Sequence, residues 1–344
     1  MKFGILTGVY AGNATRKTEA TRALDTLAEY VCAAEELGFH SVFLVEHHFI
    51  GNNQIPSTLP VLAYLAAKTS KIRLGTGVAV LSWHNPALLA EQIATIDQIS
   101  QGRLDVGIGR GYRRNEFESF GLPMEEARAR SEEAYAFLRR AWTTPTRFNH
   151  RGRFWTFNDI VIDPPVFQKP HPPMWIGASS IQSVMRAGYQ DLNLLLDQVA
   201  PPELIGERIA AFKQAREESG RAFDPESVCV SRAYRETSDE NDQQLAWTAL
   251  SEMIVDFRRS ADSDAALFRH MLPSFTDSRL TERSAALIGE ASEIREKISR
   301  LQSYGTEYIM LADLDGTVEG LKNFMDRIGS HFMSGDSAQR AASL

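Results

Sequence analysis

The chain has 344 residues, of which 43% are hydrophobic and 24% charged, with 23 glycines and 14 prolines. This composition is typical of a globular protein and excludes a disordered, collagen-like or coiled-coil chain. The formal net charge is -7 and no block of basic residues occurs, which argues against a nucleic-acid groove or a polybasic membrane patch. Only Cys32 and Cys229 are present, so the sequence predicts neither a disulfide framework nor a Cys-x-x-Cys metal or redox pair.

The sequence contains no segment with the length and apolarity of a membrane span or a signal-peptide core. The first apolar stretch, residues 3–9, is short and is interrupted by Gly4 and Gly8. We therefore expect a soluble, cytoplasmic protein that binds neither membrane nor nucleic acid.

Eight short apolar runs alternate with helical patterns along the whole chain. These predicted strands are residues 3–7, 41–45, 72–81, 104–108, 174–178, 192–196, 228–234 and 308–312. Helix signals lie between them; Asn85 and Pro86, for example, are an N-cap and a first helical residue. Strands that are apolar on both faces and separated by helices predict an α/β fold, a closed (β/α)8 TIM barrel, with an open doubly wound sheet as the alternative.

The segment 235–289 is longer than a connection between a strand and a helix requires. It contains a polar stretch followed by apolar residues at helical spacing, which are Trp247, Leu250, Ile254 and Phe257. We interpret it as an insertion after strand seven. It would overhang the active-site face of a barrel, as a lid or as a structural flap. Residues 1–334 are then a single predicted domain, and residues 335–344 a flexible tail.

In a barrel enzyme the reactive side chains lie at the carboxyl ends of the strands. Predicted strand two is followed by Glu46, His47 and His48. Adjacent histidines on a strand point to opposite faces, and no further His or Cys follows at ligand spacing, so the sequence predicts no metal site. One histidine acting as an acid, a base or a hydrogen-bond donor is favoured over a purely packed pair.

The ends of predicted strands four and five carry a second pattern. Residues 107–111 read Gly-Ile-Gly-Arg-Gly, which does not match the dinucleotide fingerprint but offers open backbone and the guanidinium of Arg110. Strand five continues through Ser179, Ser180 and Ser183 into a helix, whose first N–H groups can bind an anion. Each feature alone fits a surface ion pair or a plain helix cap, but on neighbouring strands they predict a phosphate site.

Six segments together resemble the bacterial luciferase-like, flavin-dependent monooxygenases. They read KFGILTG at the start, GFHSVFLVEHHF at 38–49, IRLGTGVAVLSWHNP at 72–86, EQIATIDQISQGRLDVGIGRGY at 91–112, FGLPMEEARAR at 120–130 and PPMWIGASS at 172–180. The likeness covers nearly the whole chain and is weak only from about 235 to 290. It implies a TIM barrel that binds FMN over the barrel mouth.

The resemblance also implies roles for individual residues. They are Arg110, Arg128, Ser179, Ser180 and Ser183 at the FMN phosphate, Gly77 and Val78 as a non-proline cis peptide beside the flavin ring, and His47, Glu46 and His48 as the catalytic group. Within the last group His47 is the base or donor, and Glu46 and His48 flank and orient it. Gly109 stands where the light-emitting members have a reactive cysteine, so we do not expect light emission.

The implied reaction is the oxidation of a small organic substrate, such as an aldehyde, by reduced FMN and O2 through a 4a-peroxyflavin. Tyr10, Trp83, Tyr234 and the 235–289 segment are expected to line the substrate pocket. Because these residues are apolar or aromatic, they indicate an organic substrate with a hydrophobic part.

No nicotinamide fingerprint is visible, so a separate NAD(P)H:flavin reductase is expected to supply reduced FMN. The resemblance further implies a homodimer through the helices at 57–69 and 86–100, where Ala63, Ala66 and Ala67 permit close packing. Two alternatives stay open: a deazaflavin-dependent oxidoreductase of the same superfamily, and a flavin-binding protein without turnover.

Overall fold

Parallel strands form the centre of the molecule. The computed structural model describes residues 1–8, 17–49, 55–261 and 285–333. Its strands are β1 (Lys2–Thr7), β2 (Ser41–Leu44), β3 (Arg73–Thr76), β4 (Ala79–Val80), β5 (Leu104–Gly109), β6 (Phe148–Arg151), β7 (Thr156–Ile160), β8 (Met174–Gly177), β9 (Asn193–Leu196), β10 (Val228–Glu236), β11 (Leu287–Gly289) and β12 (Tyr308–Asp313). The parallel order β1-β2-β3-β5-β8-β9-β10-β12 returns to β1. The predicted closed eight-stranded barrel is confirmed.

Helices surround this barrel. They are α1 (Lys17–Glu36), α2 (Thr58–Lys68), α3 (Pro86–Ile99), α4 (Arg114–Ser119), α5 (Ala127–Thr143), α6 (Ile181–Tyr189), α7 (Pro202–Glu218), α8 (Glu240–Ala261), α9 (Ala291–Ser303) and α10 (Val318–Arg327). The predicted start of α3 is confirmed, since the Asn85 side chain accepts hydrogen bonds from the backbone N–H groups of Ala87 and Leu88. Within the described ranges, no helix combines the length and the apolarity that crossing a membrane requires.

Large side chains fill the amino-terminal half of the barrel interior. This barrel floor consists of Phe43, Trp175, Cys229, Tyr308 and Met310, which are 0–5% exposed. Glycines on neighbouring strands make room for it. A Cβ at Gly75 would lie 2.6 Å from the Phe43 ring, and one at Gly107 would lie 1.9 Å from the Thr76 carbonyl oxygen. The floor is therefore a packed plug and not a pore.

The predicted third strand, 72–81, is divided into β3 and β4. The peptide bond between Gly77 and Val78, at the division, is cis, as the resemblance implied. β4 continues on the barrel wall by pairing Ala79 and Val80 with Ile108 and Gly109 of β5.

The elements that were not predicted include helix α4, the antiparallel hairpin of β6 and β7, and strand β11. β11 pairs with the end of β10, so Arg235 and Glu236 belong to the barrel strand instead of the insertion. Tyr10, the central part of the insertion (262–284) and the tail at 335–344 lie outside the described residues.

Helix α8 contributes to an apolar cover at the carboxyl end of the barrel. The cover is one buried cluster of Val199, Ala233, Ala246, Leu250, Ile254, Ala286 and Ile288, with Tyr112, Trp247 and Met253 packed against it. Its members come from α8, from the ends of β9 and β10, and from β11 and the residues before it. The described part of the 235–289 segment thus packs on the strand ends where barrel enzymes place their chemistry.

Candidate active site

The ends of β5 and β8 lie side by side, as the sequence predicted. The two strands pair in parallel from Val106 and Met174 to Ile108 and Ile176. Arg110 therefore follows one strand end, and Ser179 and Ser180 follow its neighbour.

Three guanidinium groups meet at this point. We call Arg110, Arg128 and Arg186 the arginine cradle; they follow β5, begin α5 and lie on α6. Burial and the charges of Arg128 and Arg186 lower the pKa of Arg110. Among the described residues the compensating charge comes from Glu132, whose Oε1 lies 2.8 Å from Arg128 Nε and 3.6 Å from Arg186 Nη1. The cradle thus carries excess positive charge that an anion would offset.

The amino end of α6 faces the same strand ends. Ser180 is its N-cap, and a capping box links Ser180 and Ser183 through reciprocal backbone-to-hydroxyl hydrogen bonds of 3.2 Å. The backbone N–H groups of Ile181 and Gln182 are not part of the box. The predicted serines therefore build the helix end, whose positive dipole and remaining first-turn N–H groups favour an anion.

Ser82 joins the two segments that bring the cradle together. Its buried hydroxyl lies 2.6 Å from the carbonyl oxygen of Arg110 and 3.0 Å from that of Ala127. The end of β5 and the start of α5 are therefore held at one point. Space is open beside it, since a Cβ at Gly177 would meet no atom within 4 Å.

His47 is held by a carboxylate that the sequence did not single out. Its Nδ1 lies 3.2 Å from Oε1 of Glu116, and the same oxygen accepts the backbone N–H of His48 at 2.8 Å. Glu116 is buried on α4, and the ring of Tyr112 stands edge-on to His47. With Nδ1 donating to Glu116, His47 keeps the lone pair on Nε2 for a proton transfer.

The hydrogen bonds of Glu46 go to His48, His84 and Trp83. Its Oε1 lies 3.1 Å from Nε2 of His48, 3.1 Å from Nε2 of His84 and 2.7 Å from Nε1 of Trp83. Burial raises the pKa of Glu46, but these hydrogen bonds outweigh it and bring the pKa down to about 2. Glu46 is ionised and holds these three side chains by hydrogen bonds. The carboxylate that contacts His47 is that of Glu116.

Tyr234 does not lie where the sequence placed it. It is 1% exposed, and its ring packs against Phe324 of α10 at a centroid distance of 5.1 Å. Successive residues of a strand face opposite sides, and Ala233 is the neighbour that joins the apolar cover. The expectation that Tyr234 lines the substrate pocket is wrong.

The ionisable side chains of the described ranges do not form a metal centre. No group of three or more His, Cys, Asp or Glu within those ranges is arranged to hold a metal ion. Cys229 is buried in the barrel floor, where desolvation raises the pKa of its thiol. The candidate site therefore consists of the arginine cradle, the α6 end and the His47–Glu116 pair.

The chain matches the luciferase-like monooxygenase family over residues 1–308. It belongs to this family. The expected enzyme class, a monooxygenase, is confirmed at the level of the family.

Two curated relatives illustrate the range of the match. The oxygenase component of the flavin-dependent trigonelline monooxygenase of Acinetobacter baylyi is 27% identical over 325 residues, which covers 90% of this chain and 89% of that protein. The uncharacterized protein y4vJ of Sinorhizobium fredii is 36% identical over 168 residues, 49% of this chain and 48% of that protein. The chain thus spans about half the length of y4vJ in that match.

Solved structures share the fold over nearly the whole chain. The monooxygenase RslO1 from Streptomyces bottropensis has a TM-score of 0.83 at 26% identity, with 97% of this chain and all (100%) of that chain covered. An FMN complex of the oxygenating constituent of 3,6-diketocamphane monooxygenase from Pseudomonas putida has a TM-score of 0.78 at 17% identity, covering 97% and 99%. The coenzyme F420-dependent tetrahydromethanopterin reductase of Methanopyrus kandleri has a TM-score of 0.71 at 18% identity, with 96% of this chain and 99% of that chain covered. At the two lower identities the likeness shows the fold alone.

Three residues of the candidate site were not predicted from the sequence. Arg186 lies three residues after Ser183, a spacing that puts both on one face of α6 and could have revealed it. Ser82 and Glu116 gave no comparable signal, because their contacts join segments 28 and 69 residues apart in the chain.

Proposed function

We propose that the protein is the FMN-dependent oxygenase component of a two-component monooxygenase, which uses reduced FMN and O2 to oxidise a small organic substrate. The observation that carries this proposal is the arginine cradle beside the amino end of α6. Family membership supports monooxygenase chemistry, and the Acinetobacter baylyi relative is flavin-dependent and itself an oxygenase component.

The cradle fits a phosphate monoester. Three guanidinium groups share the carboxylate of Glu132, and the pKa of Arg110 is lowered by burial and by its cationic neighbours. A phosphate dianion would offset the charge of Arg110, Arg128 and Arg186 and accept the first-turn N–H groups of α6. The open space at Gly177 lies on the adjoining strand end. In this proposal Ser179, Ser180 and Ser183 shape the helix end that receives the phosphate.

Bound reduced FMN supplies the two electrons that, with O2, place one oxygen atom on the substrate and release the other as water. His47, held at Nδ1 by Glu116, takes or gives a proton at Nε2. Glu46 fixes His48, His84 and Trp83 around it and stays ionised.

Two further features shape the space over the strand ends. The side chain of Val78 covers Gly109, because a Cβ at Gly109 would lie 2.5 Å from Val78 Cγ2. We assign Gly77 and Val78 to the wall against which the flavin ring rests. The apolar cover, with Leu250 and Ile254 of α8, excludes water from the reacting atoms and accepts the hydrophobic part of the substrate.

We also propose two partners. A separate NAD(P)H:flavin reductase delivers reduced FMN, in line with the component naming of the Acinetobacter baylyi relative. A second copy of the chain packs on α2 and α3, where Leu88 is 54% and Ile99 45% exposed. Ala66 is 4% exposed within a single chain, so Ala63 and Ala67 are the small residues left for that interface. Analytical ultracentrifugation tests the dimer.

The decisive experiment is anaerobic titration of the protein with reduced FMN, followed by rapid mixing with O2. We expect saturable binding and a transient absorbance distinct from both reduced and oxidised FMN, which decays faster when a substrate is added. Riboflavin, which lacks the phosphate, is the matched control ligand and should bind much more weakly.

Three results would contradict the proposal. Equal affinity for riboflavin and FMN would remove the phosphate assignment. Oxidation at the rate of free flavin would leave a flavin-binding protein without turnover. Binding of a reduced deazaflavin with hydride transfer, in place of reduced FMN, would establish the deazaflavin-dependent enzyme.

A further inference from the structure

Seven buried side-chain atoms in the described part of the chain have no hydrogen-bond partner. They are Arg113 Nε, Gln198 Oε1, Arg208 Nε, Arg216 Nη1, Arg232 Nε, Tyr234 Oη and Thr306 Oγ1. Of the four arginines, Arg216 forms an ion pair through Nη1 itself with Oδ1 of Asp191 at 3.1 Å, and the other three have partners through other atoms. Tyr234 lies in the outer layer against α10, and Thr306 precedes β12 at the opposite end of the barrel. The remaining atom, Gln198 Oε1, belongs to the loop that follows β9.

The loop that carries Gln198 is fixed by a buried set of charges. Oδ1 of Asp197 accepts the N–H groups of Val199 at 3.1 Å and Ala200 at 2.9 Å. Oδ2 of Asp197 accepts Nη1 of Arg208 at 2.9 Å. Arg232, fully buried, donates to the carbonyl oxygens of Asp197 at 2.9 Å and Ala200 at 2.8 Å.

Two buried arginines and one carboxylate therefore hold the backbone on both sides of Gln198. The side-chain oxygen of Gln198 accepts no hydrogen bond from any of the described residues. A buried polar atom without a partner costs free energy, and a rigid loop cannot relax to satisfy it. This combination of a fixed support and an unmet polar group is expected of a binding residue.

The position of the loop says what Gln198 can reach. β9 is the neighbour of β8, pairing from Trp175 and Asn193 to Gly177 and Leu195, so its end adjoins the open space at Gly177. Val199 belongs to the apolar cover under α8. Gln198 thus stands at the barrel mouth between the phosphate side and the cover.

We propose that Gln198 binds the imide edge of the flavin ring. This inference rests on the proposed FMN function. A carboxamide presents an acceptor oxygen beside a donor nitrogen, and the pyrimidine end of a flavin presents N3–H beside a carbonyl oxygen, so the two edges are complementary. The unmet Oε1 accepts from N3–H, and Nε2 donates to the flavin carbonyl. Gln198 is then a cofactor-binding residue on a third strand end.

The test compares wild type, Gln198→Leu and the surface variant Gln302→Leu as binders of reduced FMN and of reduced 3-methyl-FMN, which has no N3–H. Anaerobic ultrafiltration gives each Kd. We expect Gln198→Leu to weaken FMN binding about tenfold. Wild type and Gln302→Leu should bind FMN more tightly than 3-methyl-FMN by a similar factor, and Gln198→Leu should not distinguish the two.

Thermal unfolding without flavin provides a second readout. Gln198→Leu should leave the Tm unchanged or raise it, because the substitution removes a buried acceptor that has no partner. A fall of several degrees would show a structural role and overturn the inference. So would an unchanged Kd for FMN, including the case in which only the KM of the organic substrate rises. Failure of wild type to bind reduced FMN would instead overturn the proposed function, and this inference with it.

Discussion

The two ends of the barrel are built from opposite kinds of side chain. At the floor, Trp175 is buried and its Nε1 donates to Asp105 at 3.0 Å, while Nε of Arg73 lies 2.6 Å from the same carboxylate. At the mouth, Arg110 and its two cationic neighbours share Glu132, and a Cβ at Gly177 would meet no atom. The floor is packed and charge-balanced and the mouth is open and charged, so stability and binding are separated along the strand axis.

A matched pair of glycine variants should show the largest effect. It tests whether stability depends on the barrel floor and not on the mouth. Gly107→Ala should destabilise the fold by about 3 kcal/mol or more in the free energy of unfolding, because the new Cβ would lie 1.9 Å from a backbone oxygen. Gly177→Ala should leave the Tm within about a degree of wild type. Thermal unfolding measures both, and similar behaviour of the two variants would contradict the contrast between the ends.

His47→Ala should separate binding from turnover at the mouth. We expect reduced FMN to bind with nearly normal affinity and turnover to fall by about 10²- to 10⁴-fold, because a positioned proton donor or acceptor is lost. Glu116→Gln should give a smaller loss and a changed pH profile. Steady-state kinetics with a substrate found by rapid mixing checks this, and an active His47→Ala variant would assign the proton transfer to His48 or another group.

Arg110→Ala should weaken the binding of reduced FMN by about 1.5 to 3 kcal/mol, the range of hydrogen bonds to charged groups. The Tm without flavin should not fall, since the substitution relieves repulsion with Arg128 and Arg186. Arg147→Ala is the control, because Arg147 is exposed and pairs with Asp159 on the hairpin of β6 and β7. Equal Kd values for wild type and Arg110→Ala would remove the phosphate assignment.

Glu46 refines the comparison between the two ends of the barrel, because it lies at the mouth but stabilises the fold. Its pKa is about 2 in the folded protein against an ordinary value of 4.5, so its ionised form stabilises the fold above about pH 4.5 and this contribution is lost as the pH falls toward 2. Glu46→Gln should cost about 2 kcal/mol near neutral pH. Urea unfolding should show the difference from wild type shrinking as the pH falls from 5 to 3; a constant difference would mean that its charge has no part.

The barrel could be predicted because its strands are apolar on both faces. Each predicted run overlaps a barrel strand, and the largest difference is at 72–81, which forms the two strands β3 and β4. β11 has three residues and α4 six, too few for a periodic pattern. The strands of the β6–β7 hairpin are largely exposed and lack an apolar run.

For the site, the sequence could identify residues that follow strands but not their partners. Arg110, Ser180 and His47 come within three residues of the ends of β5, β8 and β2, so the barrel alone brings them to one end. The contact of His47 with Glu116 depends on how α4 folds back over that end, which no local pattern encodes. Tyr234 was misplaced for a related reason. A shift of one residue along a strand reverses the side that each side chain faces, and the sequence did not define the strand position to within one residue.

The packed barrel floor also determines where molecules enter and leave the barrel. Phe43, Trp175 and Tyr308 close the amino-terminal end of the barrel, and among the described residues α8 packs over the carboxyl end. In the proposed reaction the cofactor, O2, the organic substrate and the products all pass through the carboxyl end of the barrel. A molecule that dissociates slowly therefore delays the binding of the next one. Oxidised FMN must dissociate before another molecule of reduced FMN can bind. An excess of oxidised FMN should therefore slow every turnover.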